Sequence, residues 1–196
     1  MLQYSDYISN LPDILHPNFI ALLDAAEKNG DKPAVLYRSG KQREFGRWNY
    51  TRFAAECRRI GRGLLAAGLK KGDRVVLWAE NRPEWMITWI GTVIAGLVIV
   101  PVDFLISEKE CLNIIKITRA RAFFYSGKKR QFAMSLEAEG IALDVSVCVS
   151  KPGEEGGVDE AFGAFGKDAG NQALPAVSDI DEHDPASIVF TSGTTG

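Results

Sequence analysis

Apolar positions along the chain predict a helix, a β-hairpin and a second helix up to about residue 68 and a strand–helix alternation beyond it. In the first stretch, residues 18–30 predict an amphipathic helix that opens at Asn18 and ends near Gly30. Ala34-Val-Leu-Tyr37 and a segment around Glu44 to Trp48 flank Ser39-Gly40-Lys41, which predicts a β-hairpin. A second helix starts with Asn49 as N-cap. Phe53, Cys57, Ile60 and Leu64 form its apolar stripe, and Gly68 can close it in the left-handed conformation.

From Gly72 the alternation begins. Arg74-Val-Val-Leu-Trp78, Leu97-Val-Ile-Val100, Ala122-Phe-Phe-Tyr125, Val145-Ser-Val-Cys-Val149 and Ser187-Ile-Val-Phe190 read as five short strands. Helices are expected between them over 84–95, from Ser107 to about Arg119, and from Gln131 to Glu139, the last closed by Gly140. Ser107 and Glu110 form a capping box, and Asn81 with Glu84 offers a second one, with Pro83 tolerated in the first turn. Residues 150–180, rich in Gly, Pro and acidic side chains, predict a mobile surface excursion with one short helix near 159–165. The sum is an α/β fold, a mostly parallel sheet flanked by helices, preceded by a helix and a β-hairpin.

Composition adds exclusions more than functions. The net charge of −2 with mixed signs implies no broad surface for nucleic acid. Lys128-Lys129-Arg130 is the one compact basic run and reads as a solvated turn. Cys57, Cys111 and Cys148 are scattered and far from His16 and His183, so neither a zinc site nor a disulfide framework is expected. Buried, reduced thiols in a cytoplasmic protein follow, and the N-terminus lacks the pattern of a signal peptide. Met86 to Val102 carries no charge, but Gly91, Gly96 and Pro101 divide it into a buried helix and a strand, so no transmembrane span is expected.

The chemistry should lie past Phe190, because parallel sheets bind ligands beyond the carboxyl ends of their strands. There the sequence runs Thr191-Ser-Gly-Thr-Thr-Gly196. Two glycines let backbone N–H groups converge on phosphate oxygens, and four hydroxyls add donors. The spacing is not that of a Walker A loop, and composition alone also permits a plain Ser/Thr/Gly tail.

Asp184-Pro-Ala-Ser-Ile-Val-Phe-Thr-Ser-Gly-Thr-Thr-Gly196 resembles the signature of the adenylate-forming superfamily. Trp48-Asn-Tyr50, Gly72-Asp-Arg-Val75, Asn81-x-Pro-Glu84 and Gly96-x-x-x-Val-Pro-Val102 fall in family order at family-like spacing, so the resemblance runs from about Phe19 to Gly196. Asn49 and Arg52 depart from it, at a helix start where they bear on capping rather than chemistry. The pattern is most similar to fatty-acid and long-chain acyl-CoA synthetases; aryl and other carboxylic acids are the runner-up.

The resemblance implies an ATP-dependent acid–CoA ligase that uses Mg²⁺ and coenzyme A. It also implies that Thr191, Ser192, Gly193, Thr194, Thr195 and Gly196 embrace the β- and γ-phosphates, with no catalytic or metal-binding residue elsewhere in the chain. It divides the chain into residues 1–70, belonging partly to a second subdomain, and 71–196, an α/β subdomain ending in the phosphate loop. The signature's lysine would follow Gly196, so the 196-residue chain is expected to be inactive alone, and to expose apolar surface through which it dimerises. The resemblance is compatible with peripheral membrane association. Against this stand two other classes: a non-catalytic phosphate-binding module, which would bind ATP as it is, and an interaction protein indifferent to nucleotide.

Overall fold

The computed structural model describes residues 16–38, 45–150 and 158–191. Helix α1 (Phe19–Glu27) is capped by Asn18, whose side-chain oxygen accepts from the N–H groups of Ile20 and Ala21. Strands β1 (Pro33–Arg38) and β2 (Phe45–Asn49) then pair antiparallel as the expected hairpin. Its turn, at Ser39-Gly40-Lys41, lies outside the described residues.

Helix α2 (Tyr50–Ala66) begins where Asn49 predicts, with the Asn49 side chain accepting from Arg52 N–H at 2.8 Å. Arg52 offsets its unfavourable charge by lying 4.3 Å above the Trp48 ring. At the other end Gly68 takes φ +90°, Gly68 N–H donates to Leu65 O and Leu69 N–H to Leu64 O. That is a Schellman closure.

Next come β3 (Arg74–Trp78), α3 (Pro83–Ile94), β4 (Val98–Pro101), α4 (Glu108–Thr118), β5 (Ala122–Tyr125), α5 (Arg130–Ser135) and β6 (Val145–Cys148). The four strands are parallel and lie in the order β4-β3-β5-β6. Alternation along each strand sends side chains to opposite faces. Val75, Leu77, Ile99 and Phe124 pack with Cys57, Ile60 and Leu64 of α2 and Ile87 and Ile94 of α3. Val76, Trp78, Val100 and Phe123 pack with Cys111 and Ile115 of α4 and Phe132 of α5. Both faces are covered, so continuous apolar strands are required. α2 and α3 touch through backbone: a Cβ on Gly61 would sit 2.8 Å from Gly91 O, and one on Gly91 2.7 Å from Cys57 O.

Four expectations need correction. Asn81 does not cap α3. Arg82 is the N-cap, extended at φ −155° and ψ 163°, and Glu84 binds Arg82 Nε at 2.6 Å rather than closing a box. Pro83 forces this: the residue before proline avoids helical angles, so the helix can start no earlier than Pro83. The helix expected over 131–139 ends at Ser135, and turns carry the chain on to Gly140 at φ +74°. The stretch after residue 150 is not simply surface. Its short helix α6 (Glu160–Ala164) buries Phe162 against the sheet, and Arg59 donates to the carbonyls of Phe162 and Phe165. The fourth correction concerns the last strand and belongs to the site.

Candidate functional site

The predicted strand Ser187–Phe190 reaches the sheet but barely pairs. It lies outside β4, where Ile99 N–H donates to Ala186 O (3.0 Å) and Ile188 N–H to Ile99 O (2.9 Å), giving a single parallel bridge between Ile99 and Ser187. The next donor on that edge of β4 would be the amide of Pro101, which has no N–H, so the ladder stops there. Ile188, Val189 and Phe190 are left exposed. Thr191 follows, exposed, beyond the carboxyl edge of the sheet. Ser192, Gly193, Thr194, Thr195 and Gly196 lie outside the described residues, so Thr191 is the one member of the candidate loop whose surroundings are seen.

A second feature occupies the same edge. β3 leads to α3 on one face, whereas the neighbouring β5 leads to α5 on the other, the arrangement that in open α/β sheets places a crevice between the carboxyl ends. This is the switch-point position at which open α/β sheets bind ligands. Counting strand spacings, it lies roughly 12 Å from the line of Ser187.

The basic run 128–130 forms a solvent-exposed turn, as expected, at this same edge of the sheet, but its side chains are held in place. Gly127–Lys129 form a 3₁₀ turn, with Ser126 Oγ accepting from Lys128 N–H at 3.2 Å and Ser150 Oγ from Gly127 N–H at 2.9 Å. Lys129 Nζ lies 3.9 Å from the centre of the Trp78 ring and 5.0 Å from that of Phe104. Lys128 Nζ is 3.2 Å from Glu80, and Arg130 pairs with Asp159. Burial pushes the Glu80 carboxyl up, but hydrogen bonds from its own backbone N–H, Ser126 and Lys128 outweigh it and hold it below its usual range. Aromatic faces and a carboxylate thus keep two ammonium groups in place, where an anionic group could approach them.

Sequence reading passed over this arrangement because it joins three loops. The one available signal was that the basic run directly follows a predicted strand end. Asp73, just before β3, accepts from Lys70 N–H at 2.8 Å and from Arg121 at 2.7 Å. Asp103 accepts from Leu105 N–H through its side chain and from Trp78 Nε1 through its carbonyl.

The three cysteines are unpaired and buried. Among the described residues, no group of three or more His, Cys, Asp or Glu side chains is placed to hold a metal. Burial pushes the Cys111 thiol up to about 12 and the Cys57 thiol further. At pH 8 a pKa near 12 leaves about one thiolate in 10⁴. Iodoacetamide at pH 8 should therefore leave Cys57 and Cys111 unlabelled in the folded protein and modify both in urea. Rapid labelling without denaturant would contradict their burial. The sign for stability follows: a fold that keeps thiols protonated loses stability as pH rises above the free-thiol range near 9.

The architecture is that of an open, mostly parallel α/β sheet, and Thr191 lies beyond its carboxyl edge. Comparison with known proteins narrows this. The family model for AMP-binding enzymes matches residues 22–196, and the chain belongs to that family. It is similar to crotonobetaine/carnitine–CoA ligase of Citrobacter koseri, with 30% identity over 176 residues, covering 88% of this chain and 33% of the relative. It is also similar to the mitochondrial acyl-coenzyme A synthetase ACSM2 of Rattus norvegicus, with 29% identity over 90% of this chain and 30% of the relative. Among solved structures, the N-terminal domain of FACL13 from Mycobacterium tuberculosis superposes with a TM-score of 0.72 at 21% identity, over 92% of this chain and 42% of that one. The chain thus spans about a third of the length of the curated relatives it matches. Among the described residues no helix is long and apolar enough to cross a membrane.

Proposed function

We propose that this chain supplies the phosphate-holding part of an ATP-dependent acid–CoA ligase. In this reading Thr191, Ser192, Gly193, Thr194, Thr195 and Gly196 hold the β- and γ-phosphates of ATP. The carboxylate oxygen of the acid attacks the α-phosphorus, and pyrophosphate leaves with the electron pair of the broken P–O bond. The coenzyme A thiolate then attacks the acyl carbon of the adenylate, expelling AMP and forming a thioester. Adenylation is needed because a free carboxylate could lose only oxide. The protein's contribution is to hold the reacting groups in line and to aim donors at the developing charge.

The observation that supports the reading is the hydrogen bond of Ile188 to Ile99, which brings the chain to Thr191 beyond the carboxyl edge of a parallel sheet. Mg²⁺ would serve to neutralise phosphate charge. Among acids, a fatty acyl substrate is supported by the pattern over residues 72–103, with an aryl acid as the competing choice. The three unpaired thiols suit a reducing compartment such as the cytoplasm.

The test is ATP–pyrophosphate exchange by the full-length protein against fatty acids of graded length, carnitine-like acids and aryl acids. Exchange that depends on one acid class identifies it. No acid-dependent exchange with any of them would end the ligase reading. The 196-residue chain alone should show none above background, whichever acid is used.

A further inference from the structure

No described residue after Phe162 is buried, up to and including Thr191. The run that delivers the candidate loop to the sheet therefore has no fully buried apolar anchor; the partly buried Phe165, Leu174 and Ala186 pack against the core. Between Leu174 and Ala186 the run is held by polar contacts. Two polar side chains from the other half of the chain make them. Asn18 Nδ2 donates to Val177 O at 2.7 Å and to Ile180 O at 3.1 Å. Lys71 Nζ donates to Asp179 O at 2.9 Å and meets the Asp184 carboxylate at 2.6 Å. That carboxylate also accepts from Asp181 N–H at 2.7 Å, so it closes its own turn while holding Lys71. The Lys71 ammonium, and then the Asp181 N–H, hold the Asp184 carboxyl below the usual carboxylate range. Two residues beyond Asp184 the backbone reaches Ile99.

We infer that Lys71 and Asn18 are positioning residues for phosphate binding: they clamp residues 177–184, and the clamp sets where Thr191 stands relative to the sheet edge. The inference rests on the proposed function for its catalytic consequence, though the clamp can be tested without it. Its logic is mechanical. Asn18 is the N-cap of α1 and Lys71 lies in the turn that leads into β3, while the segment whose carbonyls they grip has one 3₁₀ turn, Val177–Asp179, as its only regular structure. A loop that holds a reacting phosphate loses much of its effect when displaced by as little as 1 Å, with losses that can reach about 10²-fold.

Four variants separate positioning from mere structure. Lys71→Met removes the ammonium and Lys71→Arg restores a cation. Asp184→Asn removes the acceptor charge. Asn18→Asp keeps the oxygen that caps α1, where Asn18 Oδ1 accepts from Ile20 and Ala21 at 3.1 and 3.2 Å, while deleting the donor to Val177 and Ile180. In the full-length protein, Lys71→Met and Asp184→Asn should each raise KM for ATP about tenfold and leave KM for the acid unchanged. The double variant should be no worse than either single one, Lys71→Arg should recover most of the loss, and Asn18→Asp should act in the same direction. Amide exchange at Ile188 should quicken in the variants, while the melting temperature stays put because the pair is largely exposed. Unchanged KM for ATP in an active Lys71→Met protein would overturn the inference, as would equal effects on both substrates. If the wild-type protein shows no acid-dependent exchange, the ligase reading fails by itself. Amide protection at Ile188 then decides the clamp, and protection unaltered in Lys71→Met overturns it.

Discussion

Replacing Thr191 and Ser192 together by alanine is expected to lower acid-dependent ATP–pyrophosphate exchange by about 10²-fold or more. The reasoning begins with charge. As the carboxylate attacks, the departing pyrophosphate gains negative charge, and donors already aimed at its oxygens stabilise that state without having to reorganise. Hydroxyls can do this only if the backbone holds them, and the pairing of Ile188 with Ile99 supplies the last fixed point before Thr191. Because the added charge appears in the transition state, kcat should fall along with kcat/KM, and KM for the acid should not move. The double alanine variant should fold as the parent does, since Thr191 is exposed. A drop confined to KM for ATP would mean that the hydroxyls bind the ground state only. No drop at all would place the phosphates elsewhere, and the crevice that holds Lys128 and Lys129 would be the next position to test.

The strands were legible in the sequence nearly to the residue where burial on both faces left no choice. Arg74–Trp78 and Ala122–Tyr125 coincide with the expected runs, and Val98–Pro101 is displaced by one position. Caps read well when one residue decides them, as at Asn49 and at Ser107 with Glu110. Competing local rules were harder to weigh. Around Asn81 the capping pattern met the steric demand of Pro83, and the proline prevailed because its clash with the preceding residue is obligatory whereas a cap is one hydrogen bond.

The candidate site was legible as a motif but not as a place. Its anchors lie far off in sequence: Lys71 bonds a carbonyl 108 positions away, and Asn18 one 162 positions away. No local period encodes such contacts. The fate of the last strand was encoded, but in its neighbour: Pro101 withdraws a donor from β4, which cannot be foreseen until Ser187 is known to lie beside Ile99.

Trp78→Ala should cost about 3–5 kcal/mol of folding stability, read from urea denaturation. Trp78 is fully buried at the carboxyl end of β3, edge-on to Phe132 with ring centres 5.3 Å apart. Its Nε1 donates to Asp103 O at 3.0 Å, and its face receives Lys129 at 3.9 Å. Truncation therefore opens a cavity in the core below the crevice, leaves a carbonyl without its donor, and frees a cation from one of its two rings. Trp78→Phe separates these effects. The smaller ring keeps most of the apolar contact and an aromatic face for Lys129 but cannot donate, so a loss of about 1–2 kcal/mol is expected. Amide exchange should quicken at Leu105, whose N–H is held at 2.9 Å by the Asp103 carboxylate in the same loop. A loss below about 1 kcal/mol for Trp78→Ala would show that α4 and α5 close over the gap. A Trp78→Phe variant as unstable as Trp78→Ala would place the weight on the single hydrogen bond to Asp103 and take it away from packing. Either result would bear on function too, because this one side chain ties the core beneath the sheet edge to the loops on which the crevice is built.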